Sequence, residues 1–326
     1  QVGGQALADR YTYMSYTGLF IMAAWGIPEL LSRWPQRKAI LGASAAIVLT
    51  AFGIRTYQQV GYWSDGVTLF SHAIEATENS YIAYCNRATA YSKRQQWQEA
   101  MQDYRRALEI YPEYPEAHSY LGFVYGQLGR WQEAIAECRE AIRIKPDYAN
   151  AYTNLGAAYG KAGHRQEAIA SFKKAIEIDP DHVEARHNLA NELVAQGRYD
   201  EAVDQFQKVL KLMPDRLASM NNLAWLVATC PGLKNRDPNE AIRLAERMCE
   251  LTGHKDPAFL DTLAGAYASA GRFTEAVDTA NKALGLAIEA EKTRLRDTIE
   301  EHLSFYTQGK PYIEPAIQAP SEPNKL

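Results

Sequence analysis

Four asparagines, Asn86, Asn154, Asn188 and Asn222, stand at separations that are multiples of 34 residues. A primary amide carries both donors and an acceptor, so a row of amides at constant spacing can grip successive peptide units of an extended chain without reading its sequence. Tyr120 interrupts the row between Asn86 and Asn154, and Asn191 lies one helical turn beyond Asn188. The same amides can instead bond neighbouring helices to one another, and the sequence leaves both uses open. No catalytic constellation accompanies them. The seven histidines are scattered, and His182 and His187, the nearest to a pair, are five residues apart, which does not set both on one helical face. There is no GxSxG, Walker or GxGxxG motif, and none of the four cysteines has zinc-ligand spacing. Cys230 and Cys249 could pair in an oxidising compartment; two small core residues are the favoured reading, because Cys249 falls well inside a helix. These residues predict binding, with no cofactor, no metal and no enzyme in this chain.

The elements that must position the amides repeat every 34 residues from Tyr81 onward. A small residue recurs in the first helix of each unit (Ala88, Gly122, Gly156, Ala190). Another follows twelve positions later (Ala100, Ala134, Ala168, Ala202), and a third seven after that (Ala107, Ala141, Ala175, Val209). Antiparallel helices approach closely only where side chains are small. Gly129, Gly163, Gly197 and Gly271 follow the first helices, where a left-handed residue is cheap only for glycine. Pro112, Pro146, Pro180 and Pro214 close the units because proline cannot continue a helix.

These columns resemble the tetratricopeptide repeat (TPR), over residues 81–290. The resemblance implies an all-α, right-handed solenoid whose first helices line a concave groove, with the asparagines facing into it. A peptide-gripping amide row of this kind is similar to that of soluble O-linked N-acetylglucosamine transferases. The basic clamp of chaperone-binding relatives is absent, since Cys85, Ser119 and Thr153 occupy its lysine-bearing column. Six units are expected. The fifth carries a five-residue insertion at about 229–238, and Gly253 replaces its closing proline. Leu295, Ile299, Leu303 and Tyr306 share one face of a capping helix over 291–307, and the proline-rich residues 308–326 are expected to be a disordered tail. Upstream, Phe70 and Ala73 mark a degenerate half repeat in a junction over 57–80.

Residues 1–56 differ in kind. They hold five basic and two acidic side chains, which leaves 30 basic and 37 acidic for the remainder and a net charge of −4 overall. That balance excludes bulk nucleic-acid binding, and 47% apolar with 23% charged residues excludes a disordered chain. Tyr11–Pro28 is free of charge, and Ala39–Ile54 adds 16 apolar or small residues, about 27 and 24 Å of helix. Two transmembrane helices are therefore expected, at about 14–31 and 39–56. Arg33, Arg37 and Lys38 between them place that loop in the cytoplasm and the repeats outside, as in a bacterial inner membrane. With Gln1 first, the chain is read as the C-terminal piece of a longer protein.

The stretch ADRYTYMSYTGLF at residues 8–20, a second apolar run, WSD and then the repeats resemble the C-terminal half of the transmembrane-and-tetratricopeptide family of multi-spanning glycosyltransferases, which use a lipid-phosphate sugar donor. The resemblance implies that the catalytic acid lies in an early outward loop outside this chain. It also offers Arg10 as a donor-phosphate contact; an interfacial anchor beside Asp9 is the other reading of Arg10. The expected function is a membrane-anchored module that binds protein or unfolded peptide in its groove, with the lipid bilayer as a second partner. The alternatives are an acceptor guide for an O-glycosyltransferase core and an envelope assembly scaffold.

Overall fold

The computed structural model describes residues 35–63, 65–77 and 79–315. The first expected membrane span (14–31), Arg10 and residues 316–326 lie outside the described residues. All regular elements among the described residues are helices: α1 (Arg37–Tyr62), α2 (Gly66–Ala76), α3 (Tyr81–Lys93), α4 (Trp97–Ile110), α5 (Pro115–Gln127), α6 (Trp131–Ile144), α7 (Ala149–Lys161), α8 (Arg165–Ile178), α9 (Val183–Val194), α10 (Tyr199–Leu212), α11 (Leu217–Thr229), α12 (Pro238–Leu251), α13 (Pro257–Ser269), α14 (Phe273–Glu289) and α15 (Thr293–Thr307). They divide into two compact units, residues 1–124 and 125–326, with the division inside α5.

In the first unit, α1 is a 26-residue helix that carries the second apolar run. Among the described residues, however, no helix is long and apolar enough to cross a membrane, which corrects the expected span at 39–56. The uninterrupted apolar stretch between Lys38 and Arg55 is 16 residues, about 24 Å against a hydrocarbon core of about 30 Å. The remainder of the helix is mixed, with Thr56, Gln58 and Gln59 among Tyr57, Val60 and Tyr62. Several of its apolar side chains are nonetheless exposed to solvent: Ile47 and Leu49 are each 70% exposed, and Val48, Phe52 and Ile54 are exposed too. Three residues separate α1 from α2, whose N-terminus Asp65 caps by accepting from Val67 N (2.7 Å) and Thr68 N (3.2 Å).

Helices α2, α3 and α4 pack in succession. Arg87 on α3 holds the buried Asp103 of α4 through two bonds, Nε to Oδ2 at 2.7 Å and Nη2 to Oδ1 at 2.8 Å, and its Nη1 donates to Ser71 Oγ on α2 at 3.1 Å. One guanidinium thus links three helices and neutralises a carboxylate that would otherwise be buried at considerable cost. At the α3–α4 turn, Gln95 takes the left-handed place that glycine fills in later repeats, with φ of 58°.

In the second unit each helix from α6 to α15 packs against the next. Ala134, Ala141, Ala168, Ala175, Ala190, Ala202 and Val209 are all fully buried, so the columns of small residues are the helix contacts. The first helices of successive pairs also meet directly, α7 with α9 and α11 with α13. Glycines at the turns have left-handed backbones where the sequence requires them, as at Gly163 (φ 85°).

Two segments of this unit differ from, or add to, the reading of the sequence. The insertion after α11 is held by Arg236, whose guanidinium donates to the carbonyls of Val227 (2.7 Å) and Ala228 at the end of α11. It thereby satisfies carbonyls that a helix end leaves orphaned. Residues 308–315, expected within a disordered tail, are described: Glu314 N–H donates to Thr229 O at 3.2 Å, and the Tyr312 ring lies 4.3 Å from that of His302. Prolines suppressed periodicity there, but an aromatic and a carboxylate gave the segment enough specific contacts to dock.

Gly156 shows what the small columns are for. A Cβ there would lie 2.7–2.9 Å from three atoms of the Phe172 ring, which is 1% exposed and has nowhere to move. At Gly160 the nearest atom to an added Cβ is the far end of the flexible Glu192 side chain. Gly156→Ala should therefore destabilise the chain by about 1–3 kcal/mol despite alanine's better helix propensity. Gly160→Ala should be neutral or stabilising, and thermal melting of the two variants checks the contrast.

Candidate functional site

The amide row falls on the first helix of each pair, and within the second unit its members are Asn154 on α7, Asn188 and Asn191 on α9, and Asn222 on α11. All four are half-buried. Their exposure follows from register: each sits two residues before the small contact residue or one after it, at the rim of the helix packing rather than in it. Asn86, on α3 in the first unit, is also half-buried, and Tyr120 on α5 is exposed and stacks on Tyr104 with ring centroids 5.9 Å apart.

The structure brings Asn191 and Asn222 together: Asn222 Nδ2 donates to Asn191 Oδ1 at 2.8 Å. That bond is one rung of a polar ladder along the first helices. His182 Nε2 lies 2.9 Å from Asn150 Oδ1, Arg216 clasps Glu184 at 2.9 and 2.7 Å, His187 Nδ1 lies 2.8 Å from Ser219 Oγ, and Thr262 Oγ1 donates to Asn221 Oδ1 at 2.8 Å. His182 also caps α9, its Nδ1 accepting from Ala185 N at 3.3 Å. The neutral ring therefore carries its proton on Nε2 and donates it to Asn150. That rung uses only the nitrogen of Asn222 and the oxygen of Asn191.

Both uses of asparagine left open by the sequence are thus compatible, since Asn191 and Asn222 join helices while still lining the row. Arg216 draws the Glu184 carboxyl below the usual carboxylate range through the paired hydrogen bonds. The free thiols Cys85, Cys138, Cys230 and Cys249 are all buried, and burial pushes Cys249 up to about 11, so they pack as neutral groups. Among the described residues no cluster of histidine, cysteine and carboxylate side chains is arranged to hold a metal.

Residues that the sequence did not single out gather at the end of the ladder. His302, on the buried face of α15, sets Nδ1 3.0 Å from both oxygens of the buried Asp261 on α13. Trp225, one turn beyond Asn222, lies 5.1 Å from the His302 ring. The available signal was a histidine between Ile299 and Tyr306 in an apolar stripe, a position that requires a polar partner.

Burial lowers the pKa of His187 below its ordinary 6.5, with Arg216 pushing the same way and Glu184 opposing. As pH falls the unfolded chain takes up this proton first, so the neutral folded histidine costs nothing above about 6.5 and progressively more below it. Between about pH 7 and pH 5 the wild-type chain should lose more stability than His187→Gln does. Paired denaturant titrations at the two pH values check this.

Similarity to known proteins agrees with the geometry. Residues 113–181 and 161–226 match family models of the tetratricopeptide repeat, and residues 88–129 match a TPR repeat model. The protein O-mannosyl-transferase Tmtc2 of Drosophila melanogaster is 26% identical over 115 residues, 35% of this chain and 12% of its own length. The protein O-mannosyl-transferase TMTC1 of Homo sapiens is 28% identical over 121 residues, 36% of this chain and 14% of its own. The chain thus spans only a small part of these curated relatives. A solved structure of pilF from Pseudomonas aeruginosa superposes with a TM-score of 0.57 at 19% identity, over 68% of this chain and 96% of that one, which shows the fold.

Proposed function

We propose that this chain, which carries tetratricopeptide repeats across residues 88–226, is a non-catalytic module that holds extended polypeptide along its first helices. The observation that carries the reading is the ladder itself. Asn154, Asn188 and Asn222 hold one register on α7, α9 and α11, and the amides, hydroxyls and imidazoles beside them suit the backbone of a peptide, which offers a donor and an acceptor at every residue. Asn86 and Tyr120 occupy the same register in the first unit. Attachment to a lipid bilayer is part of the proposal. Exposed Ile47, Val48, Leu49, Phe52 and Ile54 on α1, flanked by Lys38 and Arg55, support an apolar contact with basic ends.

A second reading is favoured by the similarity to the O-mannosyl-transferases: the module would present acceptor polypeptide to a glycosyltransferase core, with Arg10 near a donor phosphate. In that case too the chain alone transfers no sugar.

The direct test is Asn154→Ala, Asn188→Ala and Asn222→Ala combined, with circular dichroism to verify the helical content. Each lost amide contact is worth about 1 kcal/mol, so affinity for a permanently unfolded polypeptide should fall at least about tenfold. Unchanged affinity contradicts the proposal.

A further inference from the structure

The C-terminal end of the ladder is already occupied by an extended segment of this same chain. Glu314 N–H donates to Thr229 O, the last carbonyl of α11, next to the two carbonyls that Arg236 satisfies. Trp225 Nε1 donates to Glu314 Oε2 at 2.9 Å. The Tyr312 ring rests against His302, which Asp261 fixes from behind, and 6.0 Å from Trp225. The segment is thus read through two alternate residues of an extended chain, Tyr312 by its ring and Glu314 by its backbone and its carboxylate.

Two observations bear on how firmly this segment is held. No residue of Pro311–Pro315 is fully buried, and Ile313 is 40% exposed. Beside the seat, Tyr306 Oη is buried (1% exposure for the residue) yet makes no hydrogen bond. It faces Gly265, where an added Cβ would come within 3.4 Å of that hydroxyl and 3.2 Å of the Trp225 ring. The glycine lets the backbone approach this hydroxyl and the Trp225 ring closely, and a buried polar group without a partner is costly.

We infer that Trp225, Thr229, Gly265 and His302 form a recognition seat for extended peptides carrying an aromatic residue followed, two positions on, by a carboxylate, and that Tyr312 and Glu314 occupy it in cis as a displaceable plug. Trp225 lies one turn beyond Asn222 and 34 residues after Asn191, so the inference rests on the reading of the first helices as a peptide-holding face. It adds a ligand pattern and a form of self-inhibition.

The test uses the full chain and a fluorescein-labelled peptide GKPYIEP, the sequence of residues 309–315. Tethered competitors act at effective concentrations near millimolar, so Tyr312→Ala combined with Glu314→Ala should bind the peptide at least about tenfold more tightly than wild type, by fluorescence anisotropy. Equal affinity for the two chains, or no binding to the double variant, overturns the inference. A further substitution, Trp225→Phe, keeps the ring but removes the donor. In the double-variant background it should abolish the preference for GKPYIEP over GKPYIQP, and a preserved preference also overturns the inference. Binding of the permanently unfolded polypeptide is measured alongside. If that persists while GKPYIEP fails, only the seat is wrong; if neither binds, the peptide-holding function falls with it.

Discussion

Helices can lie side by side at close range only where the side chains at the crossing are small, and the rest of this structure depends on that constraint. Ala134, Ala168, Ala190, Ala202 and Ala241 are fully buried because each is a point where two helices meet. Gly156 goes further and admits the Phe172 ring against bare backbone. Once those contacts are fixed, the angle and spacing of every helix pair are fixed with them. Side chains at the rim, such as Asn154, Asn188 and Asn222, then fall at a constant register without any interaction that selects them individually.

The same close approach explains the polar ladder. First helices that touch their counterparts bring half-buried side chains into reach of one another, and half-buried polar groups must find partners. Asn150 with His182, His187 with Ser219 and Asn191 with Asn222 satisfy one another across helix boundaries. A peptide laid along this face meets groups that are already oriented, so less side-chain entropy is lost on binding. The ladder is at once part of the packing and the basis of recognition.

Much of this was legible in the sequence because local rules and the 34-residue period agree. Alanine at the crossings, glycine at left-handed turns and proline after the second helices each have a local cause. What was not legible depended on distant residues. Asp261 and His302 are 41 positions apart and obey no repeat, and Arg87 and Asp103 pair across a turn in a way that charge patterning does not reveal. The insertion before Pro238 could be counted, but Arg236 as a cap for α11 could not be foreseen. Prolines in the tail hid the docking of Tyr312 and Glu314. On α1 an apolar run was visible, and its length decided against a span: 16 residues between Lys38 and Arg55 fall short of a bilayer core.

The central claim is that polypeptide is held along the first helices rather than the second. Ala157 on α7 and Lys173 on α8 are both exposed, on the first and second helix of one repeat. A photoreactive benzophenone side chain placed at each position in turn, in the presence of a permanently unfolded polypeptide, reports which side is occupied. The account predicts strong crosslinking from position 157 and little from position 173. Equal yields, or crosslinking confined to position 173, would contradict it.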